Sequence, residues 1–265
     1  MTQFDYKKSE IFSMDVFPDY IYGYPSKRKY KPIDYSIESL WKNSKFDKIN
    51  IYIHIPFCLK KCKFCNLYST DKVNINVVDL YVKSIVKQIA AYGLVLKGCI
   101  VDSVYIGGGT PTILSEKNFD EIFNTLNRHF TIDSNRAEVA IEGCPVTLGS
   151  SREKLSLVKK LGVNRISVGV QSFNNDELRY FGRTYDEQEA HKAINTIREV
   201  GFRALNLDMI YGIPNQSLEG WIQNAEKLLS YSPESATLYP LNIREDTMLH
   251  VESEQRTKSS IAILN

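Results

Sequence analysis

From residue 49 onward, short apolar runs rich in β-branched residues alternate with longer segments of helical period. Runs at 49–55, 101–106, 138–141, 165–170, 204–210 and 235–240 read as strands. Segments at 77–92, 116–129, 151–161, 174–181, 187–200 and 218–230 read as helices. Ser115 is placed to cap the second helix, and Gly162 and Gly201 to end two later ones. Strands separated by helices pair in parallel through crossovers, which predicts β-α units with both faces of the sheet covered. Six units are too few to close an eight-stranded barrel. The fold expected is α/β, a partial (β/α)6 TIM-like barrel, open and crescent-shaped. In parallel α/β folds the active site lies at the C-terminal ends of the strands, so motifs that carry chemistry should fall just after them.

Three segments follow. Residues 1–48 are rich in Tyr, Lys, Pro and Ser without sustained period, and read as an irregular arm with a short helix near 37–42. Its aromatics between Phe12 and Tyr30 predict that the arm packs against something. Residues 49–245 form the core. Residues 246–265 show no period and read as the start of a truncated or missing C-terminal region. A net charge of +2 argues against nucleic acid or membrane as the main partner. No apolar stretch reaches a membrane span and the N-terminus lacks a signal-peptide core, so a cytoplasmic protein is expected.

Three of the five cysteines, Cys58, Cys62 and Cys65, follow the first strand in the spacing C-x3-C-x2-C. In a reducing compartment such a group points to metal rather than disulfides. The spacing lets a short loop bind three irons of one cubane and leaves the fourth without a protein ligand. Zinc is the competing reading. It needs four ligands, and His54, Cys99 or Cys144 would have to supply the fourth.

The other motifs fall where the strand-end rule asks. Gly107-Gly108-Gly109-Thr110-Pro111 follows the second strand, and glycines let backbone approach a ligand closely. Glu142 ends the third strand and Gln171 the fourth, each offering polar groups to a ligand. Arg183 is suited to hold a carboxylate bidentately. Asp208 sits inside an apolar strand, which is costly unless it is paired or ligand-bound.

Together these strings resemble the radical SAM superfamily. The run Tyr52-Ile53-His54-Ile55-Pro56-Phe57-Cys58, then Gly107-Gly108-Gly109-Thr110-Pro111, Gly169-Val170-Gln171-Ser172-Phe173 and Asp208-Met209-Ile210-Tyr211-Gly212-Ile213-Pro214, resembles the branch of oxygen-independent coproporphyrinogen III oxidase. That branch includes a haem chaperone and methyltransferases or cyclopropanases that use two S-adenosylmethionine (SAM) molecules. The resemblance covers roughly residues 49–245. It implies a [4Fe–4S] cluster on Cys58, Cys62 and Cys65, with SAM on the open iron. It implies SAM contacts from Tyr52, Phe64, Gly108, Gly109, Thr110, Glu142, Gln171, Arg183 and Asp208. One SAM is implied, or two on the methyltransferase side. The implied reaction is reductive cleavage of SAM to a 5′-deoxyadenosyl radical that takes hydrogen from a small organic substrate. A flavodoxin or ferredoxin would supply the electron. Three outcomes stay open: porphyrinogen oxidation or decarboxylation, radical C-methylation or cyclopropanation, and haem chaperoning without turnover. Leu67 stands where the oxidase itself carries a further cysteine.

Overall fold

The computed structural model describes residues 46–133 and 135–254, together with Ser36, Ser39 and Trp41. By contact the chain forms two units, Met1–Asn43 and Ser44–Asn265. The expected packing of Phe12 to Tyr30 lies outside the described residues, as do 255–265. Of the short helix expected near 37–42, Ser39 and Trp41 are described, and both have helical backbone.

The second unit is built on seven parallel strands: β1 Lys48–Ile55, β2 Ile100–Gly108, β3 Thr131–Ile132, β4 Glu138–Gly143, β5 Arg165–Gln171, β6 Ala204–Tyr211 and β7 Ser235–Pro240. They line up in the order β1-β2-β4-β5-β6-β7, with β3 attached to β2. β3 pairs with Ile100 and Val101, and β4 with Ser103 to Ile106, so both run along the same side of β2 in succession. The sheet therefore has six lanes, as the alternation predicts. Each lane lies beside the one before it with no reversal, which is barrel winding rather than a doubly wound sheet. Among the described residues β1 and β7 are edges and do not pair with each other, so the barrel is open.

The helices are α1 Ile75–Val95, α2 Glu116–His129, α3 Pro145–Gly149, α4 Arg152–Lys160, α5 Asn175–Tyr180, α6 Glu187–Val200 and α7 Leu218–Ser230. Their starts obey local chemistry. Asn74, Ser115, Ser151, Asn174, Asp186 and Ser217 each cap a helix through the side-chain oxygen. Asp186 and Glu189 close a full capping box, and Gly201 ends α6 at φ +77°.

Alternation along the strands decides the layers. Ile53, Ile55, Val104, Ile106, Ile141, Val168 and Leu207 point to one face and share one core with Val82 of α1, Phe119 and Phe123 of α2, Val158 of α4 and Ile194 of α6. The intervening residues, among them Tyr52, Tyr105, Glu142, Ser167 and Asp208, form the other face. This corrects the expectation of two covered faces: the core helices pack on one side, and the concave side carries polar groups. A second correction concerns the chain after β7. Residues 248–254 form a helix, here α8, whose Leu249 is buried.

Candidate functional site

The loop after β1 brings the three cysteines to the C-terminal end of the sheet. Its stem is closed by Cys58 N–H donating to Thr70 O at 2.9 Å and Thr70 N–H donating to Pro56 O at 2.7 Å. Phe57 packs edge-on against Tyr81 of α1, with ring centroids 5.3 Å apart. Cys58 is buried, whereas Cys62 and Cys65 are partly open. Burial pushes the Cys58 thiol up, opposed by the hydroxyls of Thr110 and Ser69. Burial also pushes Cys62 up, with the positive Arg183 acting against it and Cys65 and Cys58 adding to it. The thiols thus share one region beside Arg183.

No group of three or more His, Cys, Asp or Glu among the described residues is drawn together as the ligands of one metal ion would be. A cubane seats its thiolates on separate irons and does not require that gathering. Of the three residues that could give zinc a fourth ligand, Cys99 lies away from the loop and His54 is engaged by its neighbours, while Cys144 stands near the thiols. Cys99 precedes β2, at the end of the strand away from the loop, and donates to Phe46 O at 3.0 Å. Both His54 ring nitrogens are engaged, one with Tyr52 Oη at 2.9 Å and the other with Tyr68 O at 2.8 Å. Cys144 makes a 3.4 Å contact with the Thr147 hydroxyl, and its charge is felt at Cys58, Cys62 and Arg183.

The glycines after β2 make room for the chain itself. A Cβ on Gly109 would stand 2.7 Å from Phe57 O and 2.8 Å from Cys58 Sγ. One on Gly108, which has φ +119°, would meet the His54 ring at 2.7 Å. Gly109 N–H donates to Ile55 O and Thr110 N–H to Phe57 O, both at 2.8 Å. The second loop is therefore stitched along the first, and Thr110 reaches Cys58 through its side chain.

Glu142 at the end of β4 accepts from Tyr105 Oη at 2.6 Å and from Gly108 N–H at 2.9 Å. Burial, then the charge and hydrogen bond of Glu142, hold the Tyr105 phenol well above its ordinary value, so it stays a donor. Tyr52 stacks on Tyr105 with centroids 6.1 Å apart. Alternation along β1 and β2 places both tyrosines on the concave face, a signal that sequence reasoning left unused for Tyr105.

Gln171 holds a left-handed backbone, φ +67°, next to a bulge in the β5–β6 ladder. That conformation is rare outside glycine and clusters at functional sites. The bulge turns the side chain back across Gly169, where an added Cβ would lie 2.7 Å from Gln171 Nε2 and 3.6 Å from an Arg183 terminal nitrogen. Arg183 sits between the Phe64 and Tyr185 rings, 5.5 and 5.6 Å from their centroids. Phe64 in turn packs edge-on to Phe181. The Arg183 Nε is buried without a hydrogen-bond partner among the described residues.

Asp208 is different. Ser167 Oγ donates to it at 3.0 Å and Asn206 Nδ2 at 2.7 Å. Burial pushes its carboxyl up, and these donors pull it back. The neighbouring strands satisfy this carboxylate within the concave face. Glu142 and Gln171 lie at strand ends and Arg183 just after α5, while Asp208 sits further back on the concave face among Ser167 and Asn206.

Among the described residues no helix is long and apolar enough to cross a membrane. The Radical SAM superfamily model matches residues 52–228. The heme chaperone HemW of Buchnera aphidicola subsp. Schizaphis graminum is 35% identical over 208 residues, covering 78% of this chain and 54% of that protein. The oxygen-independent coproporphyrinogen III oxidase of Synechocystis is 31% identical over 213 residues, covering 80% of this chain and 45% of that protein. Among solved structures, coproporphyrinogen III oxidase (HemN) from Escherichia coli superposes with a TM-score of 0.76 at 24% identity, over 89% of this chain and 58% of its own. At that identity the likeness is one of fold. The chain spans about half the length of the curated relatives it matches. Strand order, cysteine loop and relatives agree: the chain belongs to the radical SAM superfamily, in the HemN-like branch that also holds the HemW chaperones.

Proposed function

We propose that this chain holds a [4Fe–4S] cluster on Cys58, Cys62 and Cys65, binds SAM beside it, and generates a radical that abstracts hydrogen from a small organic substrate. The single observation that carries the reading is Arg183. A guanidinium packed against two rings, with its buried Nε unpaired among the described residues, is a costly arrangement that a bound carboxylate would satisfy. SAM carries such a carboxylate, and the cysteines lie within electrostatic reach of Arg183. When bound, the cluster and SAM supply one-electron cleavage of a carbon–sulfur bond.

The chain's own residues bind and orient. Glu142, fixed by Tyr105 and Gly108, presents a negative oxygen surface to an ammonium or hydroxyl group. Gln171 offers both donor and acceptor from a rigid, bulged position. Gly109 and Thr110 hold Cys58 in place. Tyr52, stacked on Tyr105, and Phe64, within the loop and against Phe181 and Arg183, offer aromatic surface to the ligand. An external one-electron donor, flavodoxin or ferredoxin in class, is required.

The test is anaerobic reconstitution with iron and sulfide, then dithionite and SAM, assayed for 5′-deoxyadenosine. Formation of 5′-deoxyadenosine, lost in Cys62→Ala, supports the reading; none from a fully loaded chain sinks it. The HemW names of the similar relatives favour a second reading, a haem-handling protein with little turnover. That reading predicts haem binding by absorbance titration and no 5′-deoxyadenosine. S-adenosylhomocysteine as coproduct would instead mark methyl transfer.

A further inference from the structure

The cysteine loop is held at its tip by chain that follows the sheet. Lys63 lies between Cys62 and Cys65. Its N–H donates to Phe181 O, and its carbonyl accepts from Leu249 N–H, both at 3.0 Å. Its Nζ meets the two carboxylate oxygens of Glu252 at 2.7 and 3.0 Å. Every polar group of this one residue is engaged. Its stem crosses Gly182, φ +71°, where an added Cβ would stand 2.9 Å from Lys63 Cγ. The holding helix is itself anchored. Leu249 and Thr247 are each 2% exposed, and the Thr247 hydroxyl donates to Arg244 O at 2.6 Å. The ion pair is shielded, with Lys63 and Glu252 side chains 30% and 33% exposed.

We propose that Lys63 and Glu252 are positioning residues for the cluster site. The pair locks the loop tip so that Cys62 and Cys65 are presented together before any metal arrives. This rests on reading Cys58, Cys62 and Cys65 as cluster ligands. The physical effect is pre-organisation. A loop ordered in advance loses less conformational entropy when it binds. Glu252 holds the Lys63 side chain, and with it the loop tip, against the chain after β7. The chain after β7 is then part of the cluster apparatus.

The experiment uses the full chain with Glu252→Ala, Glu252→Asp, Lys63→Met and the Lys63→Met/Glu252→Ala double variant. Lys63→Met keeps an apolar stem over Gly182 and removes the charge. Two quantities are read: amide hydrogen exchange of residues 59–66 in the metal-free chain, and the rate at which a chelator strips iron from the reconstituted chain. The urea midpoint is the control. In Glu252→Ala the loop amides should exchange faster and iron should leave about fivefold faster, the ratio expected of a modest ion pair. The midpoint should fall by no more than the loss of one partly exposed ion pair accounts for, and Glu252→Asp should restore most of both readouts. The double variant should match Lys63→Met alone. Unchanged exchange and iron loss in Glu252→Ala would overturn the proposal, as would additive effects in the double variant. If the wild-type chain takes up no iron–sulfur cluster, the reading of the cysteines fails, and loop exchange in the metal-free chain alone decides the clamp.

Discussion

Glu142 spends both of its oxygens on the neighbouring strand: Tyr105 Oη donates to one at 2.6 Å and Gly108 N–H to the other at 2.9 Å. The carboxylate is thereby fixed between the glycine loop and the concave face. A charge-assisted hydrogen bond contributes about 1.5–3 kcal/mol when its partner is left in place. Tyr105→Phe should therefore cost about 1–2 kcal/mol in urea unfolding, since the site is only partly buried. It should also weaken SAM binding by calorimetry, because Glu142 gains freedom. A variant as stable as wild type would show that the bond is idle.

Gly109→Ala tests the stitching of the two loops. The added methyl would meet the Phe57 carbonyl at 2.7 Å and Cys58 Sγ at 2.8 Å, the first a backbone atom and the second the end of a short, buried side chain. Overpacking of this kind costs about 1–3 kcal/mol. Iron content after reconstitution should fall together with stability. Full iron content at wild-type stability would mean that the loops can part without consequence. Gly162→Ala is the contrast: its Cβ meets nothing within 4 Å, but φ +108° makes it strained for a backbone reason alone. It should lower stability and leave iron content unchanged.

Gln171→Gly separates strain from function. A left-handed backbone costs a non-glycine residue about 1–2 kcal/mol, and the bulge at Gly169–Gln171 imposes it. Glycine relieves that cost and loses side-chain packing, so stability should rise or hold while SAM affinity falls. Gln171→Ala keeps the strain and loses the same polar groups, so it should be the less stable of the two. The two variants ranked the other way in urea would remove strain as the explanation.

What the sequence discloses here depends on how local the cause is. The lanes of the sheet are legible because apolar alternation and helical period are local patterns. β3, with two residues, and α3, with five, are too short to show either. α8 escapes notice for another reason: Leu249 is buried, but Met248 and Val251 are exposed, so its apolar residues mark no face. The cysteines, Gly109 and Glu142 stand out as candidates because their residue types at strand ends are suited to chemistry. Gln171 stands out in the same way, but its left-handed backbone does not, since that φ follows from a bulge between two strands. Asp208 shows both sides. The sequence signals the cost of burying it, but its partners include Ser167, a neighbour only once β5 and β6 pair.

A last prediction concerns acid. Glu187, at the start of α6, accepts from Lys227 Nζ at 2.5 Å and lies 3.1 Å from His191 Nε2. The Lys227 hydrogen bond holds its carboxyl below the ordinary carboxylate range, with partial burial opposing and His191 assisting. A folded pKa depressed below the unfolded one means that the folded chain binds the proton less readily. The stability it confers is complete above the ordinary range and is lost as pH falls through the depressed value. Solvent screening keeps that contribution at or below about 1 kcal/mol. Urea midpoints of wild type and Glu187→Gln should therefore differ at neutral pH and converge as the buffer passes below pH ~4. Lys227→Met should converge with them over the same interval, because it removes the group that depresses the pKa. A gap between wild type and Glu187→Gln that persists unchanged into acid would assign the effect to packing at the start of α6 instead of to charge.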